Sequence, residues 1–395
     1  MAGCKEKRRD APIASMVAVL LLGITACSSK SVTENQVDQA NSNQPHYESS
    51  LTFSDVTLEQ TNAQGKPVWN VKAKRAIYSQ DRKVARVQSP TGELFQDGKV
   101  AYHITAAQGE IQQDGKKLFL NGQIVAVDPQ NGVVLHGNEL EWQPDKDLLI
   151  VRNHLTINHQ QMQITAQEAR VFSRESRMEL QGQVVAVAAN PRVQVRTEHL
   201  IWQIQEKKLI GDRPIQIARF NGQKVTDQAV ANQADVDLNS KIITLKQNAQ
   251  LSLVDALNVA PPAETQPQNA NLPLQVAGNE LSWNLNAETV TANQPVHILD
   301  RTHQLTVTAN QGWMDLQKKV AYLTGNVYGV GERGQSLHSK HLTWYLPSQL
   351  FEANGDVVYH QAEPVASFTG QKAVGKLQDQ SIVVSGGGVV TQFTP

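Results

Sequence analysis

A chain of 395 residues that is 40% hydrophobic but only 5% aromatic can bury a sizeable, mostly aliphatic interior. Its 36 basic and 37 acidic residues are scattered singly and leave a net charge of −1, which gives no electrostatic support for nucleic-acid binding. Both cysteines, Cys4 and Cys27, lie near the start, so no disulfide framework is available to brace the rest.

The N-terminus carries Lys5, Lys7, Arg8 and Arg9, then the apolar run Met16 to Ile24, then Thr25, Ala26 and Cys27. A positive start, a short apolar run and small residues before a cut predict a signal peptide over residues 1–26. The run is too short to cross a bilayer, which takes about 20 apolar residues. Ile24-Thr25-Ala26-Cys27 resembles a bacterial lipobox, and that resemblance implies Cys27 as the lipidated first residue of the mature protein. Residues 27–50 are rich in Ser, Asn, Gln and Glu and have little to bury, so they read as a lipidated N-terminus and flexible tether.

The first folded element is Phe53 to Gln60, with a turn at Ala63-Gln64-Gly65-Lys66 and a return through Val68 to Ala73, a hairpin. A four-position frame then begins: an apolar residue, a small residue two later, and buried-type residues five and seven later. It reads Val71/Ala73/Ala76/Tyr78, Ile104/Ala106/Gly109/Ile111, Leu135/Gly137/Leu140/Trp142, Ile164/Ala166/Ala169/Val171 and Val195/Thr197/Leu200/Trp202. It continues as Ala231/Gln233/Val236/Leu238, where Gln233 departs from the small second position, then Val276/Gly278/Leu281/Trp283, Val307/Ala309/Gly312/Met314, Leu337/Ser339/Leu342/Trp344 and Phe368/Gly370/Ala373/Gly375. A recurring unit of this size means stacked rungs. Steps of two are strand spacing, and the step of three in the middle predicts a crease that keeps both halves facing one interior. Return strands are visible as Leu118 to Val127 and Met178 to Val187. Between Asn258 and Pro273 proline and small polar residues replace the pattern, which reads as a linker or loop. It divides a first β segment, residues 51–257, from a second, residues 274–395.

The expected fold is therefore all-β: antiparallel creased strands stacked into an elongated β-jellyroll or β-taco, as one stack or two consecutive segments. The inward positions expected to line its apolar interior are Tyr78, Ile104, Ile111, Leu135, Leu140, Trp142, Ile164, Val171, Val195, Leu200, Trp202, Val276, Leu281, Trp283, Met314, Leu342 and Trp344.

Residues 56–78, with the later stretches VQSPTGELFQDGKVAYHITAAQGEI and LFLNGQIVAV, resemble the LptC family of lipopolysaccharide export. The resemblance is carried by Val56, Leu58, Gly65, Trp69, Ala73, Ala76 and Tyr78, then Pro90, Ala106, Gly109, Leu120, Gly122 and Val125. The units beyond are similar to OstA-type repeats of the same pathway. The resemblance implies a periplasmic protein that binds lipopolysaccharide through its acyl chains and receives it from an inner-membrane ABC transporter. It also implies a periplasmic bridge protein joined by edge-strand addition, and a membrane tie that favours the inner membrane. The alternative is a structural or adhesive β-repeat lipoprotein with a closed core and no lipid cargo.

Signs of catalysis are sparse, and the chain is not expected to be an enzyme or to need a cofactor or metal. Gly329-Val-Gly-Glu-Arg-Gly334 joins strands and reads as a turn rather than a nucleotide loop. His338 and His341 supply two ligands at most and read as surface histidines. Asp145/Asp147 and Asp235/Asp237 read as turn and strand-face carboxylates.

Overall fold

The computed structural model describes residues 51–112, 114–254, 273–377, 381–387 and 390–393. The expected signal peptide, Cys27 and the tether lie outside the described residues, as does the 258–273 segment apart from Pro273. Residues from Glu48 onward belong to one compact unit.

The described residues form 28 strands of a single sheet, every pairing antiparallel, with one 3-10 turn at Pro144–Lys146. Long strands cross a crease where the register skips. Leu118–Asp128 pairs with Val133–Gln143 through Asn121↔Glu139 and then Ile124↔Gly137. The same skip falls at Gln181/Val184, Lys246/Ala249, Thr324/Val327 and Asn354/Val357. The frame strands contribute small residues there. A Cβ on Gly137 would stand 2.6 Å from Val151 Cγ1 and 3.0 Å from the Arg152 carbonyl oxygen.

The strands alternating with the frame strands bend by a different device. Each places two consecutive residues in the left-handed region: Gly122-Gln123, Asn153-His154, Gly182-Gln183, Gln247-Asn248, Gly325-Asn326 and Gly355-Asp356. Gly and Asn reach that region at low cost, which explains their recurrence. Elsewhere the crease splits a strand in two, with Pro90, Pro214 and Pro295 in the gap, where a missing N–H is harmless to the ladder.

The crease gives the sheet two walls that face each other. Three rows of cross-strand neighbours form the interior. One row, on the first wall, runs Val71, Gly92, Ile104, Ala126, Leu135, Ile157, Ile164, Ala186 and Val195, and on through Val276 to Phe368. Leu140, Leu200, Leu281 and Leu342 lie beside the crease. The third row, on the second wall, passes from Tyr78 through Ile111, Trp142, Val171, Trp202, Trp283, Met314 and Trp344 to Ile382, one residue per strand.

Neither row is interrupted where the chain leaves the described residues at 255. Ile242–Leu253 pairs directly with Leu274–Asn284 over ten residue pairs. At the ends, Thr52–Thr61 pairs only with Pro67–Tyr78 among the described residues, and Ser381–Ser385 and Val390–Phe393 only with Ala366–Lys376. Both ends therefore present backbone groups with no ladder partner among the described residues.

Candidate functional site

Among the described residues the dominant feature is the space between the two walls, and sixteen of the seventeen lining positions expected from the sequence are buried in it. Tyr78, the remaining one, is half-buried at the edge of the second wall, with its ring edge-on to Phe53. The walls meet more closely than an open trough would allow. Leu135, Ile164, Leu200, Leu281 and Trp283 have no exposed surface at all. The interior side chains pack against one another, because apolar faces left apart would be wetted.

The tryptophan pattern is regular. Trp142, Trp202, Trp283 and Trp344 occupy the second-wall row at every fourth strand, with Leu149, Val171, Met178, Leu209, Val236, Ile243, Val290, Met314 and Ala321 between them. All four are fully buried, and none of their indole Nε1 groups has a hydrogen-bond partner among the described residues; the same holds for Trp69 on the first wall. A buried unsatisfied donor costs about 1–3 kcal/mol, so five in one interior need an explanation.

The free margins of the two walls are strand-end turns, and polar bridges connect them. Arg174, in the turn after Met162–Phe172, donates from Nε and Nη2 to both carboxylate oxygens of Asp97 across the margin, each at 2.9 Å. Beneath it Tyr102 Oη and Ser173 Oγ are 3.0 Å apart. Further along, Lys241 Nζ donates to the Asn190 carbonyl oxygen at 2.7 Å, and Arg219 to Glu288 at 3.1 Å. Then Gln349 Nε2 lies 2.6 Å from His303 Nε2, while His303 Nδ1 lies 2.6 Å from the buried carboxylate of Asp300.

Charges at these bridges are tuned in opposite senses. The Arg174 guanidinium holds Asp97 below the usual carboxylate range. Burial pushes the neighbouring Asp147 up, despite the hydrogen bond from the Arg174 backbone N–H. Burial also raises the Tyr102 phenol, and burial followed by the nearby Lys207 charge lowers His159, whose ring meets Trp202 edge-on at 5.1 Å.

Two apolar openings reach the margin. One, of about 370 Å³, lies under the Lys241–Asn190 bridge among Met162, Ala186, Val195, Leu209, Val236 and Ile243. The other, of about 100 Å³, lies beyond the last bridge among Leu305, Val307, Gly329, Leu337, Trp344, Phe351 and Ile382. Its cause is visible on the first wall, where Gly329 stands between Val307 and Leu337 and a Cβ there would meet nothing nearer than 3.9 Å.

The histidine and carboxylate pairs do not converge on chemistry. His338 Nε2 faces Asn326 Oδ1 at 3.0 Å, and His341 Nδ1 faces Thr324 Oγ1 at 3.4 Å. Among the described residues no three His, Cys, Asp or Glu side chains come together as a metal set. Asp235 accepts from Lys246, and Asp237 caps its own turn through Asn239 and Ser240. The margin bridges are what sequence reasoning missed: their partners are up to 77 residues apart and carry no local signature.

A single creased antiparallel sheet with an unbroken apolar interior and polar margins defines an elongated β-jellyroll. The sequence profile of the family described as lipopolysaccharide-assembly, LptC-related, matches residues 16–157 and again residues 134–254. Those matches span more than half of the chain, which belongs to that family. The family places it among envelope-associated transport components of the lipopolysaccharide pathway rather than among enzymes. No curated protein matches the chain. The creased rungs from Leu274 onward continue past the matched residues. Among the described residues no helix is long and apolar enough to cross a membrane.

Proposed function

We propose that this chain binds the acyl chains of lipopolysaccharide between its two walls and passes the lipid from an inner-membrane ABC transporter towards the outer membrane. The observation that carries the reading is the pair of apolar rows that run strand by strand from one end of the sheet to the other. An acyl chain of about a dozen carbons gains about 10 kcal/mol on leaving water, so an unbroken apolar path lowers the barrier to crossing an aqueous compartment. Loading requires the walls to part, and the contacts they lose are replaced by contacts with the guest. The margin bridges are the polar fastenings that must open. The edge strands at each end of the described sheet suit addition of a periplasmic bridge protein, and lipidated Cys27 would tie the chain to the inner membrane.

The near-complete burial of the interior favours one other reading, a structural β-repeat lipoprotein whose core never opens. Photo-crosslinkers placed in exporting cells at Leu140, Trp142, Trp202 and Trp283 separate the two. Lipopolysaccharide adducts are expected at these inward sites and not at outward His136 or Thr156. Exporting cells with no adduct at any inward site would leave the closed-core reading standing.

A further inference from the structure

Four buried indole N–H groups in one interior row ask what accepts from them. An indole N–H is a donor only, and none of the four finds an acceptor among the described residues. The ring neighbours do not help: Tyr102 lies edge-on to Trp142 and His159 edge-on to Trp202, yet neither places an acceptor within hydrogen-bond distance. A pure hydrocarbon guest would leave these donors as they are. A guest with carbonyl oxygens at the base of its hydrocarbon chains would satisfy them.

We propose that the indole N–H groups of Trp142, Trp202, Trp283 and Trp344 donate hydrogen bonds to ester or amide carbonyl oxygens of an acylated lipid. This inference rests on the lipid-carrying reading and adds the polar chemistry that the apolar rows lack. The spacing supports it. One tryptophan at every fourth strand puts successive donors about 19 Å apart along the stack, at roughly 4.8 Å per strand. The interior is thus a series of stations rather than a single pocket, and a guest from solution enters first at those that lie at openings. Two stations lie at openings: Trp344 borders the one beyond the last margin bridge, and Trp202 pairs across strands with Leu209, which lines the larger one. Bulk alone does not account for the choice of residue, since a phenylalanine would also fill an apolar row and would strand no donor.

The test compares two amphiphiles of equal chain length, one with an ester-linked dodecanoyl chain and one with an ether-linked dodecyl chain that lacks the carbonyl. Each is titrated by calorimetry into the full chain held in amphipol. The ester is expected to bind about tenfold more tightly than the ether, the size of one hydrogen bond. The double variant W202F/W344F should lose most of that preference while its affinity for the ether stays the same. In the unsubstituted protein, the indole N–H resonances of a tryptophan-labelled sample should move downfield with the ester and not with the ether, a readout independent of any variant's folding. Equal binding of ester and ether by the unsubstituted protein overturns the inference and leaves the lipid-carrying reading intact. Preference unchanged in the double variant, with unmoved indole resonances, also overturns it. Failure of both amphiphiles to bind sinks the two readings together.

Discussion

Glu168 shows how single residues brace the outer surface of the walls. Its carboxylate accepts from Arg152 Nε at 2.5 Å and from Arg170 Nε at 2.6 Å, and Arg152 also reaches Glu141, which Lys117 approaches at 3.2 Å. Burial pushes Glu168 up, but the two guanidinium groups more than offset it and hold the group below its ordinary value of 4.5. A carboxylate depressed in the folded state stabilises above its unfolded pKa, and that stability is lost as pH falls through the folded value. Glu168→Gln should therefore cost about 1–2 kcal/mol at pH 7. The gap from the unsubstituted protein should begin to shrink below pH 4.5 and close only once the pH has fallen past the depressed folded value, as read from urea melts across the acid range. A gap of constant size would show that shape, not charge, holds the site. Gly137 is set by space instead of charge. Gly137→Val should lose about 2–3 kcal/mol by overpacking against Val151, while outward His136→Val stays near neutral in the same melts. Glu141 is a poor outward control, since its ion pairs and neighbouring strands leave it only 9% exposed.

The crease is the element on which everything larger is built, and it was only half legible in the sequence. The frame strands announce it through their step of three and their small residues, and the structure places the register skip there, at Gly137 and its equivalents. The alternating strands bend by paired left-handed residues, and Gly-Gln, Asn-His and Gln-Asn share no pattern of apolar spacing. Hydrophobic periodicity reports which way a side chain faces; it is blind to a backbone torsion that turns two polar residues outward. For the same reason the inward-facing, buried residues could be read, being apolar and in phase, whereas the margin bridges could not. The strand Val320–Val330 offers a test of the backbone argument because it holds two interior glycines of different kinds. Gly325 has φ +79°, and a Cβ added to it would stand 3.0 Å from Asn310 Nδ2, while a Cβ on Gly329 meets nothing nearer than Val307 Cγ2 at 3.9 Å. Gly325→Ala should cost about 1–2 kcal/mol and Gly329→Ala less than about 0.5 kcal/mol, measured by thermal or denaturant unfolding. Equal costs would mean that the bend does not depend on left-handed backbone.

At the scale of the whole unit, each strand touches mainly its neighbours, so stability is close to a sum over adjacent pairs, and any one junction can be judged by its own ladder. The junction that matters most is Ile242–Leu253 against Leu274–Asn284, because the described residues break off after it at Val254 and resume at Pro273, and both interior rows cross through its ladder. Its ten residue pairs include Ile243 with Trp283, Leu245 with Leu281 and Leu251 with Val276, all buried. Such a junction resembles an obligate interface more than a linker-dependent one. A protease site placed between residues 258 and 271 should therefore be cut without separating the two pieces. They should co-elute on gel filtration in native buffer and part only in denaturant. The cut protein should also keep the acyl-ester binding of the intact chain, since the two interior rows cross this junction through the paired strands themselves. If the pieces instead separate on cutting, the two segments are held together by the connection alone. The interior would then be two shorter compartments, and a lipid moving between them would have to leave one before entering the other.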